Sequence, residues 1–449
     1  MANKNEFATK IGLLAATVGS AIGLGNVWRF PAETQANGGA AFLLLYAVCV
    51  LLLGVPVMLS EFALGRGGRS DSIGVFRKLS PNSSWWIIGL LAIIASYIIT
   101  SYYMVVAGWT LEYLWHSITG GLYDSGATST VFSAKMQQCV YSDWEPVIAT
   151  LVVIALNVAI LLGGVQKGIE RLSNILMPTL FVILIVLCVV ALSLPGAADG
   201  LTYFLSPDFS KISPSVVVSA MGQAFFSLSL GMGILVTYAS YYPDNTRLTR
   251  TSMTVALLSL LVALLMGCII FPAVTTYGLN AHSVQGPTLI FVTLPEVFAH
   301  MPASELWSSL FFVLLLVAAI TSTVSIAEVT IAFMQHHFKL SRAKAVLLTL
   351  LPLVFLSPIC SLSFGRLSDL KFFGMIIFDF LDTITTSLLL PLIALGTCIY
   401  IGWVAPDKLF LRQMCNNGSI RSRVAPLVLF IIKYLAPVFI IVMLITGLI

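Results

Sequence analysis

Between Gly19 and Pro31 the chain reads Gly-Ser-Ala-Ile-Gly-Leu-Gly-Asn-Val-Trp-Arg-Phe-Pro, inside a stretch otherwise apolar enough to form a helix from about Thr9. Glycine lowers helix stability and proline removes a backbone donor. A helix broken here leaves carbonyl oxygens without amide partners, and these are ligands for a hard cation. The half that follows opens with free N–H groups and the positive end of its dipole, which suit a carboxylate. A small cation and an anionic group could therefore meet beside residues 19–26. The same glycines would equally serve a close-packed seam between helices. Asn26 and Arg29, polar at that depth, favour a binding role. An enzyme is not expected. The acids in apolar surroundings, Glu61, Glu328, Asp379 and Asp382, have no His or Cys at usable spacing. The cysteines (Cys49, Cys139, Cys188, Cys268, Cys360, Cys398, Cys415) share no metal or redox spacing, and no disulfide is expected.

The frame for these residues is a membrane. Of 449 residues 58% are hydrophobic and 9% charged, with mean hydropathy +0.99, whereas a soluble domain carries about 25% charged residues. Apolar runs of crossing length recur throughout, without the strict alternation of a β-barrel. Eleven spans are expected, at about 9–35, 40–66, 85–117, 144–163, 170–194, 214–240, 252–276, 306–337, 343–362, 374–403 and 424–448. The connection after the seventh is half apolar and should hold short helices. Of the 23 Lys and Arg residues, Lys135, Lys211, Arg366 and Lys371 fall on one side, Arg29 lies within a span and Lys433 is undecided. The rest collect on the other side, which places the N-terminus in the cytoplasm and the C-terminus outside a cell membrane. No cleavable signal segment is expected. Gly23-Leu-Gly25 in the first span is matched by Gly231-Met-Gly233 in the sixth. Five spans of offset invert the second copy, giving repeats of about 9–194 and 214–403 plus an extra helix, 424–448, in one transporter domain. The net charge of +4 lies in membrane-flanking loops and gives no reason to expect nucleic acid.

The motifs Gly19–Pro31, "NGGAAFLLLY" (37–46), "KGIER" (167–171), "GQAFFSLSLGMG" (222–233), "TSTVSIAE" (321–328) and "KLSRAKAV" (339–346) stand in one order along the chain. In these motifs it resembles the bacterial neurotransmitter:sodium symporters, with the fold of the bacterial leucine transporter. The resemblance implies an all-α membrane protein with discontinuous first and sixth helices and two Na⁺ sites. One site would use the Ala21 carbonyl, Asn26 and Ser227. The other would use the carbonyls of Gly19, Ile22 and Ala318 with the Thr321 and Ser322 hydroxyls, although such hydroxyls often bond their own helix. Monoamine members place an aspartate where this chain has Gly23, so here the ligand must bring its own carboxylate, as an α-amino acid does. The carboxylate would meet the Gly23–Gly25 amides and Tyr103, and the ammonium the unwound sixth span near Phe226 and Ser229. Ser20, Ile99, Tyr103, Phe226, Met232, Ser322 and Ile326 would line a side-chain pocket free of charge.

The resemblance also pairs Arg29 with Asp382 as an outer gate, directly or through water, above Phe226 and Tyr103. It reads Gly168 to Pro178 as a stretch of the fifth helix able to unwind. Two departures follow. The inner gate has Lys4, but His336 stands where the family has an acid, so Glu6, or Glu328 with Tyr241, is expected to substitute. The seventh span has Ser259 and Ala263 where bacterial relatives carry an acid. Tyr46, Gln223, Ser227 and Ser259 match the chloride ligands of eukaryotic members, and a Ser259 that merely packs remains the alternative. The function expected is inward symport of a neutral, hydrophobic or aromatic amino acid with Na⁺, with Cl⁻ as a further ion and no obligate protein partner. A sodium-independent exchanger, a channel and a membrane enzyme are the other classes.

Overall fold

The structure, a computed structural model, describes residues 7–124, 128–278, 288–406 and 408–448. Among these, nine continuous helices are long and apolar enough to cross a membrane: Ala40–Gly68, Trp86–Ile118, Glu145–Leu162, Val165–Leu192, Leu248–Thr276, Ser304–His337, Arg342–Leu362, Ile377–Val404 and Ala425–Gly447. Lys10–Ala21 and Gly25–Ala36 form one further pair, bent by 49° across the glycines. The expected sixth span is split into Pro214–Ser227 and Ile234–Ser240. Counting eleven crossings, which takes that split segment as one, is our reading of the sequence.

Several boundaries differ from expectation. The fifth span starts at Val165 rather than 170, because the preceding helix ends at Leu162 and Gly164, at φ 74°, turns the chain at once. The seventh starts at Leu248, so two arginines expected in a loop flank or enter its first turn. Short helices occur after the seventh span, at Leu289–Thr293 and Leu294–Ala299. The loop carrying Cys139 is itself helical over Ser129–Tyr141, and Cys139 is buried. One departure from an all-helical chain is a two-residue antiparallel pair, Lys371↔Ile376 and Phe372↔Met375.

The spans at Ser304–His337 and Trp86–Ile118 lie at the centre, with 78% and 72% of their most apolar window buried, whereas Ala425–Gly447 is peripheral at 22%. These two central helices pack along each other and form the fixed wall of the site. The wall opposite comes from the broken segments. Ile234–Ser240 lies on Ala40–Gly68 so closely that a β-carbon at Gly65 would stand 2.1 Å from the Val236 carbonyl oxygen. A neighbouring backbone cannot yield as a flexible side chain can, so overpacking of this kind costs about 1–3 kcal/mol or more. Gly65→Ala is expected to lower the thermal unfolding midpoint of the detergent-purified protein; an unchanged midpoint would mean the two helices are free to separate.

Candidate binding site at the two broken helices

The first helix stops with Ile22 N–H on the Val18 carbonyl at 2.7 Å, and Ile22 then turns to φ −91°, ψ 83°. Beyond that bond side chains serve several of the carbonyls, while Gly23 O takes the Asn26 N–H at 3.2 Å. Ser229 Oγ donates to Ser20 O at 2.7 Å and Asn26 Nδ2 to Ala21 O at 3.1 Å. Gln223 Nε2 donates to Gly25 O at 2.9 Å. The second half-helix opens at Gly25, whose carbonyl also takes Phe30 N–H. In the sixth span the break runs through left-handed residues: Ser229 at φ 54°, Gly231 at 75° and Gly233 at 73°. The buried Glu61 accepts the Gly231 N–H at 2.8 Å, tying this break to the second span.

Ser20, Ala21, Gly23, Gly25, Ile99, Tyr103, Phe226, Ser229, Met232, Ser322 and Ile326 line one small cavity between the two breaks. Among the described residues no charged side chain lines it. The Tyr103 hydroxyl reaches the Leu24 backbone and the Ser322 side chain. Ser227, expected at the same pocket, turns away and accepts from Tyr46 at 2.9 Å. Arg29 sits over the Phe226 ring at 5.0 Å from its centroid, with Nε 3.6 Å from Glu33. It makes no direct ion pair with Asp382, which bonds Tyr102 instead. A nearer acid one turn along the same helix and an aromatic face hold the guanidinium. A second space of about 660 Å³, bordered by Arg29, Phe226 and Thr386, lies on the other side of this cover.

The expected cation ligands are neutral oxygens, as a hard monovalent ion requires, with no sulfur or imidazole among them. Gly19 faces Thr321: a β-carbon on Gly19 would be 3.5 Å from that of Thr321. Thr321 Oγ1 bonds Val317 O at 3.0 Å and Ala318 O at 3.1 Å, so its oxygen and the Ala318 carbonyl are adjacent. Ser322 lies closer to Gly23, on the cavity side. At Ala21 the Asn26 amide presents Nδ2; half a turn of the amide would present Oδ1 to a cation. Asn26 Nδ2 also donates to Ser259 Oγ at 3.0 Å, and Tyr46 OH lies 3.4 Å from Asn26 Oδ1. Tyr46, Ser227 and Ser259 thus gather around Asn26, and Gln223 Oε1 is buried without a partner. The Ser227 hydroxyl and the Gln223 amide donate to the Ala224 and Gly25 carbonyls, so an anion here would need these hydrogens turned toward it. Ala263 is buried and supplies no polar atom.

A buried ion pair joins the eighth span to the start of the ninth. Arg342 holds Glu328 through two bonds of 2.8 and 2.6 Å, and Tyr241 OH donates to the same carboxylate at 3.0 Å. Glu328 with Tyr241 was expected from the sequence, but Arg342 was not. Phe7 packs on Tyr238 and Tyr241. Glu170, also missed, accepts from Ala8 N at 2.8 Å, Thr9 N at 3.0 Å and Thr9 Oγ1 at 2.6 Å. Gly12 permits this approach, since a β-carbon there would lie 2.1 Å from Glu170 Oε1. Gly168 to Pro178 is wound, as a π-turn at Val165–Glu170 followed by helix. His336 Nδ1 accepts the Asp71 N–H at 3.0 Å. Lys4 and Glu6 lie outside the described residues.

Comparison with known proteins places this geometry. Residues 4–145 and 132–449 match the sodium:neurotransmitter symporter family. The chain belongs to that family. The symporter is 36% identical over 438 residues to an uncharacterized sodium-dependent transporter of Bacillus subtilis, covering 97% of this chain and 96% of that one. It is 28% identical over 421 residues to the sodium-dependent serotonin transporter of Drosophila melanogaster, covering 84% and 66%. Among solved structures it superposes on MhsT in complex with L-phenylalanine with a TM-score of 0.90, at 38% identity and 99% coverage of both chains. It is a sodium-dependent symporter and a multi-pass membrane protein, not an enzyme.

A β-carbon on Gly23 would stand 2.3 Å from Ser322 Oγ and 3.3 Å from the Tyr103 hydroxyl. Gly23→Ala in this symporter is expected to weaken ligand binding at least tenfold while the protein still purifies as a folded monodisperse species. Equilibrium binding of radiolabelled amino acid reads the first effect and size-exclusion chromatography the second; full-strength binding would place the ligand elsewhere.

Proposed function

We propose that this symporter imports a neutral, hydrophobic or aromatic L-amino acid with two Na⁺, in a cycle that also uses Cl⁻. The observation that carries the reading is the cavity between the breaks, which has backbone dipoles at its ends and no side-chain charge of its own. A ligand there must bring both a carboxylate and an ammonium. Its side chain must be apolar, because burying a further charge without a partner is costly. Met232, unbranched and adaptable, leaves room for a ring. The likeness to MhsT, solved with L-phenylalanine, supports the same class.

The substrate carboxylate would lie at the Gly23–Gly25 amides and Tyr103, beside Na⁺ held by Ala21, Asn26 and Ser227. A second Na⁺ would join Gly19 and Ile22 to Ala318, Thr321 and Ser322, clamping the first span to the eighth. Each positive charge moving inward through 100 mV releases ~2.3 kcal/mol. Arg29 and Asp382 would close the outer path over Phe226, and the Glu328–Arg342–Tyr241 cluster the inner one. We read the chain as an inverted pair of five-span repeats plus a last helix, in the cell membrane with its N-terminus in the cytoplasm. The cluster of Tyr46, Gln223, Ser227 and Ser259, with no acid beside it, would hold Cl⁻ to offset the sodium charge.

Binding of each of the twenty amino acids in Na⁺, K⁺ or choline tests the class. Tight binding of apolar or aromatic residues in Na⁺ alone is expected, and Asn26→Ala should remove the sodium dependence; binding that ignores the cation would favour an exchanger. Uptake into proteoliposomes with gluconate in place of Cl⁻ should fall several-fold, and Ser259→Glu should restore it. Undiminished uptake without Cl⁻ would leave Ser259 a packing residue.

A further inference from the structure

Where the seventh and eleventh spans begin, on the face that carries most of the basic residues, lies an open groove of about 970 Å³. Arg247 and Arg250 border it from the start of Leu248–Thr276, and Arg421 and Arg423 from the loop that leads into Ala425–Gly447. All four are exposed. Among the described residues none of these guanidinium groups makes an ion pair, and no acid lines the groove. Other arginines on the same face are engaged: Arg66 on Gln413, Asn416 and Thr246, Arg69 on Asp244, and Arg342 on Glu328. The charge bias that orients a membrane protein requires basic loops. It does not require two loops far apart in sequence to aim unpaired guanidiniums into one space.

The groove changes character with depth. Met253 and Leu257 stand about one and two turns beyond Arg250 and are 38% and 51% exposed. Val424, 45% exposed, lines it just ahead of the eleventh span. A cationic rim thus passes within about 10 Å into an apolar wall that continues to hydrocarbon depth. An ion alone would leave that wall unused, and an apolar molecule alone would leave four like charges unneutralised.

We propose that this groove binds an acidic phospholipid of the surrounding leaflet. Its phosphate would lie among Arg247, Arg250, Arg421 and Arg423, and one acyl chain would run along Met253 and Leu257. Guanidinium forks match phosphate oxygens in pairs, and basic recesses between spans on the cytoplasmic side favour anionic headgroups. The bound lipid would bridge the seventh span to the peripheral eleventh, which buries little of its own surface against the protein.

The test compares delipidated wild type with Arg247→Gln/Arg250→Gln/Arg421→Gln/Arg423→Gln in uncharged detergent. Each is titrated with phosphatidylglycerol and with phosphatidylcholine, and bound lipid is counted by native mass spectrometry. Wild type should bind phosphatidylglycerol at least tenfold more tightly than phosphatidylcholine. The quadruple variant should lose that preference, and the matching Arg→Lys variant should keep most of it. Raising salt to about 0.5 M should weaken the binding. Sodium-dependent amino-acid binding should be unchanged in the glutamine variant, which shows that it is folded; if it does not fold, Arg421→Glu alone should reduce the preference. A preference that survives neutralisation overturns the proposal. So does displacement of phosphatidylglycerol by equimolar inorganic phosphate or an acidic peptide, which would make the groove a site for a soluble anion.

Discussion

Peptide groups released from a helix at membrane depth must find partners, and the rest of this fold is arranged around that requirement. Both breaks are filled by side chains from elsewhere in the chain. Ser229 of the sixth span serves the Ser20 carbonyl of the first, and Gln223 serves Gly25. Glu61 of the second span serves the Gly231 amide. The two irregular stretches therefore hold each other open. What remains between them is a cavity bordered by backbone groups of both breaks and, among the described residues, lined by no charged side chain.

Charge has been kept out of the cavity and used at its margins. On one side Arg29 lies over Phe226, part exposed and loosely held by Glu33. On the other, Arg342 and Glu328 are joined by two short bonds, with Glu328 buried. A half-exposed guanidinium over an aromatic ring contributes little, whereas removing one partner of a buried pair costs about 3–5 kcal/mol. In the conformation seen here the Glu328–Arg342 pair is the more firmly held of the two.

The breaks were legible in the sequence because glycine, proline and polar side chains are costly within apolar runs and rarely gather there without a binding or packing role, whereas the lining residues followed from the family resemblance. The helices were legible from run length, to within a few residues. The contacts that fasten the inner side were not. Arg342 closes a loop whose basic character alone would satisfy orientation in the membrane, and nothing in its spacing names Glu328. Glu170 meets the chain's beginning across 161 positions of sequence. His336 was conspicuous as a missing acid, but only the fold shows it accepting from the Asp71 backbone. Ser227 belonged on sequence grounds to the pocket, yet a hydroxyl turns toward whichever partner is nearest, and that is Tyr46. The Arg29–Asp382 pair came from the resemblance, as a direct or water-bridged contact; here Arg29 has Glu33, four residues away, as its direct partner.

The carboxylate of Glu170 belongs to the short π-turn that opens the fifth span, and it is clasped by the segment leading into the first. One clasp thus holds two parts of the chain together. Fraying of the π-turn carries the carboxylate off and frees Ala8 and Thr9; withdrawal of Ala8 and Thr9 strips the turn of the donors that steady its charge. Through this one carboxylate the beginning of the first span and the beginning of the fifth steady each other.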